Sequence, residues 1–253
     1  MSTEEIIIRL FCMVDDQIGP VNKRSDAKLY ASEIVTIGLL FSLKGGHWRA
    51  FHRWLAANFE HLFPKLPEQS RLFRLIDSYG EFAEDFLAEL TTFTVLDTFG
   101  IELIHPRREG RSGRALGKKG KSNGRWIIGV KLAWLVNQRG EVVTWGWDTA
   151  DAPDNVFRGL GTQYDGQTIT LCDLGLREAG VPQQNLKYCR RGSWNERYCI
   201  ETNFSWLTEL LHAKKLYHRV EHHLVQRLAY LAALMNCLLR LTPTTRSLAC
   251  FAI

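Results

Sequence analysis

The sequence predicts an α/β chain in two parts: an all-helical N-terminal domain over residues 1–92, and a mixed sheet flanked by helices over residues 93–253. Two observations carry this. Up to residue 92 the apolar residues recur at three- and four-residue spacing, the period of an amphipathic helix. From residue 93 the texture changes to short β-branched and aromatic runs separated by turn residues, the signature of strands. With 253 residues and 45% hydrophobic side chains, the chain can bury one sizeable core and a smaller appended unit.

Four helices are expected in the first part, from the runs EEIIIRLFCMVDD, SEIVTIGLLFSL, HWRAFHRWLAANF and SRLFRLIDSYGEFAEDFLAEL. Pro20, Gly45-Gly46, Pro64 and Pro67 punctuate them, and Ser32 and Ser70 are the expected starts of the second and fourth. Residues 32–58 have the outline of a helix-turn-helix, with Gly45-Gly46 at the turn. His47, Arg49, His52 and Arg53 would then form a DNA-binding helix. A dimerisation hairpin fits the same pattern, and the sequence leaves both readings open.

In the second part, FTVLDTFGIELIH reads as a strand. WIIGVKLAWLV is apolar on both faces and reads as a central strand. Asn137-Gln138-Arg139-Gly140 turns it into EVVTWGWDTA, making a hairpin. A short helix, VFRGL, is followed by the compact buried strand TITLCD and the weaker strand NLKYC. Antiparallel strands followed by alternating units give a mixed sheet covered by helices. Helical periodicity resumes at Asn195, where Ile200, Phe204, Leu207 and Leu211 mark a core-facing stripe, and a last helix is expected over residues 224–239.

The most apolar stretch, residues 228–239, is closed by Arg227 and Arg240. It is too short to cross about 30 Å of hydrocarbon and is expected to be a buried helix, so no membrane partner is expected. The start, MSTEEIII, carries two acids and lacks the basic residues of a signal peptide, which points to the cytoplasm. Six cysteines are scattered without a C-x-x-C pair and read as reduced core residues.

The net charge of +5 is unevenly spread. Residues 106–125, PRREGRSGRALGKKGKSNGR, carry eight basic side chains against one Glu, a local +7 that leaves −2 for the rest. These are Arg107, Arg108, Arg111, Arg114, Lys118, Lys119, Lys121 and Arg125. Five glycines in the same stretch suggest a mobile loop outside the core. A cationic loop on a nearly neutral body suits a polyanion, because each neutralised phosphate releases counterions.

Three carboxylates stand apart from the rest by their setting. Asp97 lies inside the apolar run VLDTFGI, Asp173 ends TITLCD, and Glu201 follows the apolar Ile200 on a helix. A carboxylate inside a strand is costly unless something cationic meets it. Oxygen ligands of this kind suit a hard divalent ion such as magnesium. Arg197 lies four residues before Glu201 and shares its helix face. An ordinary Arg–Glu surface pair is the other reading of that spacing.

With these motifs the chain resembles the DDE transposases of small bacterial insertion sequences. VLDTFGIEL matches the family's first motif, and Asp173-Leu174-Gly175-Leu176 matches its second, Asp-x-Gly-Tyr. Arg197-Tyr198-Cys199-Ile200-Glu201-Thr202 matches its third, Arg-x-x-x-Glu-Thr. SEIVTIGLLFSLKGGHWRAFHRWL, the basic glycine-rich segment, GRWIIGVKLAWLVNQRGEVV and DAPDNV follow the family in the same order, so the resemblance covers nearly the whole chain. Leu176 and Trp194 stand where the family has Tyr, and Thr208 where it has Lys, at positions similar to ones that contact DNA in relatives.

The resemblance implies a ribonuclease-H-like fold with the first two acids on neighbouring strands and the Glu on a following helix. It implies a DNA transposase that cleaves element ends and transfers the strand into a target. Two magnesium ions, with manganese as substitute, would be held by Asp97, Asp173 and Glu201 about 3.5–4 Å apart. The implied partner is double-stranded DNA, both terminal inverted repeats and target, with the protein as a homodimer and no small-molecule substrate. Arg190, Arg191 and Arg197 join the basic segment as expected DNA contacts, Arg197 by positioning Glu201 or a phosphate. A transposase-derived protein that binds DNA without cutting it, and a structure-specific nuclease of the same fold, are the alternatives.

Two other motifs are set aside. His218-Arg219-Val220-Glu221-His222 spells an inverted zinc-protease motif, but no acid follows Glu221 to complete it. Asp148, Asp151 and Asp154 lack the glycine spacing of a calcium loop and read as solvated loop acids.

Overall fold

A computed structural model describes residues 1–23, 25–110, 116–122, 124–189 and 198–241. The first helices are α1 (Thr3–Ile18), α2 (Ala31–Lys44), α3 (Trp48–Asn58) and α4 (Gln69–Ser78), followed by a 3-10 segment over Gly80–Phe86. The strands β1 (Phe93–Ile104), β2 (Lys118–Ser122), β3 (Arg125–Asn137) and β4 (Val142–Thr149) come next. Then follow α5 (Arg158–Thr162), β5 (Ile169–Asp173), β6 (Leu186–Cys189), α6 (Tyr198–Glu209) and α7 (Glu221–Leu241). These form two compact units, one of residues 1–86 with 209–212 and the chain from Val225, the other of residues 87–208 and 213–224.

The helical unit is built on α2, which is buried on every side from Ala31 to Leu43. A helix apolar all round must be surrounded. Gly38 makes this possible on one side, since a Cβ there would lie 2.5 Å from the Tyr230 ring of α7. The Tyr230 hydroxyl donates to the Ile76 carbonyl at 3.2 Å, and Asn236 donates to the Phe86 carbonyl at 2.9 Å. Arg227, expected from sequence to bound the apolar stretch, is buried instead. Its guanidinium lies 4.3 Å from the Phe41 ring centre and donates to the Ser42 hydroxyl at 3.2 Å. α7 extends beyond residues 224–239 and is long and apolar enough to cross a membrane by length and composition alone. Some 72% of its most apolar window is buried in the protein.

Several local expectations are corrected here. α2 starts one residue before Ser32, because Tyr30 is extended and its N–H is taken by the Glu33 carboxylate at 2.7 Å. Ser32 is buried inside the helix. Glu68, not Ser70, precedes α4, and the fourth helical run becomes 3-10 after Ser78. The helical unit ends at Phe86 rather than 92 and takes α7 from Val225 with it.

The second unit is a six-stranded mixed sheet of order β2-β3-β1-β5-β6, with β4 also on β3. β1 is antiparallel to β3 and parallel to β5, which is parallel to β6. Residues 125–129 of β3 pair with β2 and residues 130–136 with β4, so both share its outer edge. This overturns the expectation of a wholly mobile loop over residues 106–125. Its second half is strand, with Gly120 buried and its Cα so close to the Ala150 backbone that no side chain fits there. On one face of the sheet Leu96, Ala133, Leu135 and Cys172 pack with Phe157, Leu176 and Leu186. On the other, Phe204 of α6 lies 5.3 Å from Phe99 and 6.1 Å from Trp134, ring centre to ring centre.

Candidate functional site

The parallel pairing of β1 and β5 juxtaposes two acids. Leu96 is the partner of Cys172, so the next step along both strands sets Asp97 beside Asp173. Neighbouring strands run about 5 Å apart. Side chains alternate along a strand, and Leu96 and Cys172 both enter the core cluster. Asp97 and Asp173 therefore share the opposite face. Asp97 is also paired with Trp134, on which Phe204 of α6 packs. Both carboxylates are half-buried. Each gives one oxygen to the N–H of the following residue, Thr98 at 2.7 Å and Leu174 at 2.6 Å, which fixes its orientation and leaves the second oxygen to other partners. Below them, burial pushes the Cys172 thiol up to about 12, with the charges of Cys189, Asp173 and Asp97 adding to it.

Glu201 stands in the first turn of α6 and is exposed. It lies one turn before Phe204, the residue that seats the helix on Phe99 and Trp134. A carboxylate in a first turn is favoured by the helix dipole. Ile200, Leu207 and Leu211 are buried as expected, and Phe204 is half-buried in the aromatic contact. Two further residues, Asn203 and Trp206, are buried on the same helix. Asn203 donates to the Gly140 carbonyl at 2.6 Å and ties α6 to the β3–β4 turn. Among the described residues no group of three or more His, Cys, Asp or Glu side chains gathers as a metal site. The juxtaposition is thus of Asp97 with Asp173, while Glu201 rides on the helix covering their face.

Asp154, expected as a solvated loop acid, is part of this neighbourhood. It accepts from Lys131 Nζ at 2.8 Å and from the Thr98 hydroxyl at 3.4 Å. It also lies against Gly175, just past Asp173. Lys131 is 14% exposed and binds the Ala152 carbonyl at 2.6 Å as well, so it pins the loop after β4. The signal was Lys131 itself, a cation within the apolar run WIIGVKLAWLV, which is rarely buried without a partner. Asp148 and Asp151 bond Thr149, and Asp151 also meets Lys118 at 3.5 Å.

The family models, the curated proteins and the solved structures all lack a match to this chain. The candidate site therefore stands on its own geometry.

Of the expected DNA contacts, Arg107, Arg108, Lys118, Lys119, Lys121 and Arg125 are all exposed. Lys119 meets Glu109 at 3.2 Å. Arg108, Lys118 and Lys119 border a cavity of about 380 Å³ together with Glu109 and Asp151. Arg111, Arg114, Arg190, Arg191 and Arg197 lie outside the described residues, as does Trp194. In the helical unit, Gly45 and Gly46 turn with φ of 67° and 75° between α2 and α3. Arg49 and Arg53 share an exposed stripe of α3 and His47 is exposed, whereas His52 turns inward to the Pro67 carbonyl at 3.1 Å. Leu176 is buried in the core cluster, so its departure from the family's Tyr is a matter of packing here. Thr208 is half-buried, its hydroxyl bonded to the Phe204 carbonyl at 2.9 Å. His218 precedes α7, so His218 and His222 do not share a helix face.

Proposed function

We propose that this chain is a DNA transposase whose second unit is a ribonuclease-H-like catalytic domain, cutting DNA at element ends and joining the freed strand to a target. The observation that carries the reading is the register of β1 and β5, which brings Asp97 and Asp173 side by side on one face. The strand order supports it: β3 and β4 run as an antiparallel meander from β1, and β5 and β6 extend the other side in parallel. The exposed basic segment supports a polyanionic partner.

Asp97 and Asp173 offer oxygen donors alone, half-buried and oriented by backbone N–H groups, a set that fits magnesium or manganese. Glu201 would complete the set from α6. Metal held by these carboxylates would supply positive charge beside a phosphate and make a water or 3′-hydroxyl a better nucleophile. The chain's own residues do the rest. Phe99, Trp134 and Phe204 pack together on the face of the sheet that carries Asp97. Lys131 holds Asp154 and the loop after β4 in place. Arg107, Arg108, Lys118, Lys119, Lys121 and Arg125 take up phosphates along the duplex. A dimer would present two such sites to two DNA ends.

The test is cleavage of a plasmid carrying the DNA that flanks the coding region, incubated with the full chain and magnesium. Metal-dependent cutting is expected, falling to background with Asp97→Asn, Asp173→Asn or Glu201→Gln. The double variants should be no worse than the singles, because the three act as one unit. Cleavage by Asp97→Asn at the wild-type level would overturn the assignment. Cutting without joining of 3′ ends to target DNA would mark a nuclease, and binding without cutting a DNA-binding derivative.

A further inference from the structure

We propose that the β2–β3 hairpin stacks an unpaired DNA base on Trp126, holding single-stranded DNA next to the duplex. Trp126 is 60% exposed, whereas Trp134 on the same strand is fully buried. A single exposed aromatic is ordinary on a protein surface, so what marks Trp126 is the set of cations around it. Ser122 pairs with Arg125, and Gly124 takes φ of 78° just before it. β3 pairs with β1 only from Ile128 onward, so β2 is the partner of residues 125–127. Ser122 and Ile127 come against Gly100 of β1, which supports the hairpin from below.

The register decides what surrounds the indole. Trp126 is directly opposite Lys121, and Lys119 lies two residues back on the same face. The Lys119 ammonium is 5.7 Å from the indole centre. Gly120 and Ile127 occupy the alternate face. An aromatic plane framed by cations on a two-stranded support is the chemistry of a base-stacking platform: the cations take the phosphates, and the indole takes a base without regard to its sequence. A fully paired duplex offers no free base face, so the platform selects DNA that is frayed or single-stranded. Gly100 is three residues from Asp97 along β1, about 10 Å, so DNA held on the hairpin remains close to the carboxylates.

This inference rests on DNA being the partner, and the experiment separates the two. Two probes are used with the full chain: a blunt duplex, and the same duplex with a single-stranded 3′ extension containing a fluorescent purine analogue. Wild type should bind the extended probe roughly 10-fold more tightly and quench the analogue. Trp126→Ala should lose that preference and the quenching while binding the blunt duplex as before, and Trp126→Phe should keep most of both. Equal affinity of wild type for the two probes, or an unchanged preference in Trp126→Ala, would overturn the platform. Failure of both probes to bind would instead remove the DNA reading beneath it.

Discussion

Leu176 has a setting that the sequence alone does not reveal. It stands where the resemblance expects a DNA-contacting Tyr, yet it is 1% exposed and packed with Cys172, Leu96 and Phe157. Leu176→Tyr should therefore lower stability by about 1–3 kcal/mol through overpacking, read as a drop in Tm. A Tm at or above wild type would show that the pocket opens to take the ring. The thiols give a second check. Cys12 is exposed, whereas Cys172, Cys189 and Cys237 are buried, and burial pushes Cys172 and Cys237 up to about 12. Of these four, Cys12 alone should react with a small alkylating reagent at neutral pH, as mass spectrometry would report. Rapid labelling of Cys172 would mean that the strand beneath the carboxylates opens readily. Asp97 and Asp173 were legible because a carboxylate in an apolar strand contradicts its surroundings. Asp154 was not, since its loop position looks solvated until Lys131 is seen to reach it.

The elements differ in how openly they announce themselves. β1, β3, β4 and β5 appear in the sequence as apolar or alternating runs, and the structure puts strands there within a residue or two. β2 carries no such pattern: KKGKS is strand only because β3 runs past the end of β4 and offers residues 125–129 as an open outer edge. Strand preference of that kind is set by context more than by residue type. Lysines also suit an edge strand, since they discourage pairing with another chain. Replacing Arg107, Arg108, Lys118, Lys119 and Lys121 with Gln should weaken DNA binding for every sequence and flatten its salt dependence, by about 0.9 in log–log slope for each phosphate no longer neutralised. An unchanged slope in filter binding would deny the segment any role with DNA. For α6 a buried polar contact adds to the aromatic packing: Asn203 donates to the Gly140 carbonyl at 2.6 Å. Asn203→Ala should cost about 1–3 kcal/mol in urea unfolding, because the carbonyl is left unpaired in the interior. It should also reduce cleavage, since Glu201 rides on that helix. Wild-type stability in that variant would show that packing alone seats α6.

Over the whole chain, the partition into units follows burial rather than sequence order. The texture change near residue 93 marked the start of the sheet, but nothing in a helical period says which neighbour a helix will bury its face against. α7 comes last among the described elements and belongs, from Val225, with the first helices. It contributes Leu228, Leu231, Leu234, Met235 and Leu238, all fully buried, and Tyr230 closes on Gly38. Five such side chains bring on the order of 10 kcal/mol of burial, as much as the net stability of a typical domain. α2 and α7 should consequently open together, although nearly two hundred residues separate them in the chain. In native-state hydrogen exchange, the amides of α2 and of α7 from Val225 should share one opening free energy, set apart from those of β1, β3 and β5. Ending the chain after Leu224 should strip protection from α2 while leaving the sheet amides slow to exchange. If α2 kept its protection in the shortened chain, the helical unit would be complete without α7. Its apolar face would then need another partner.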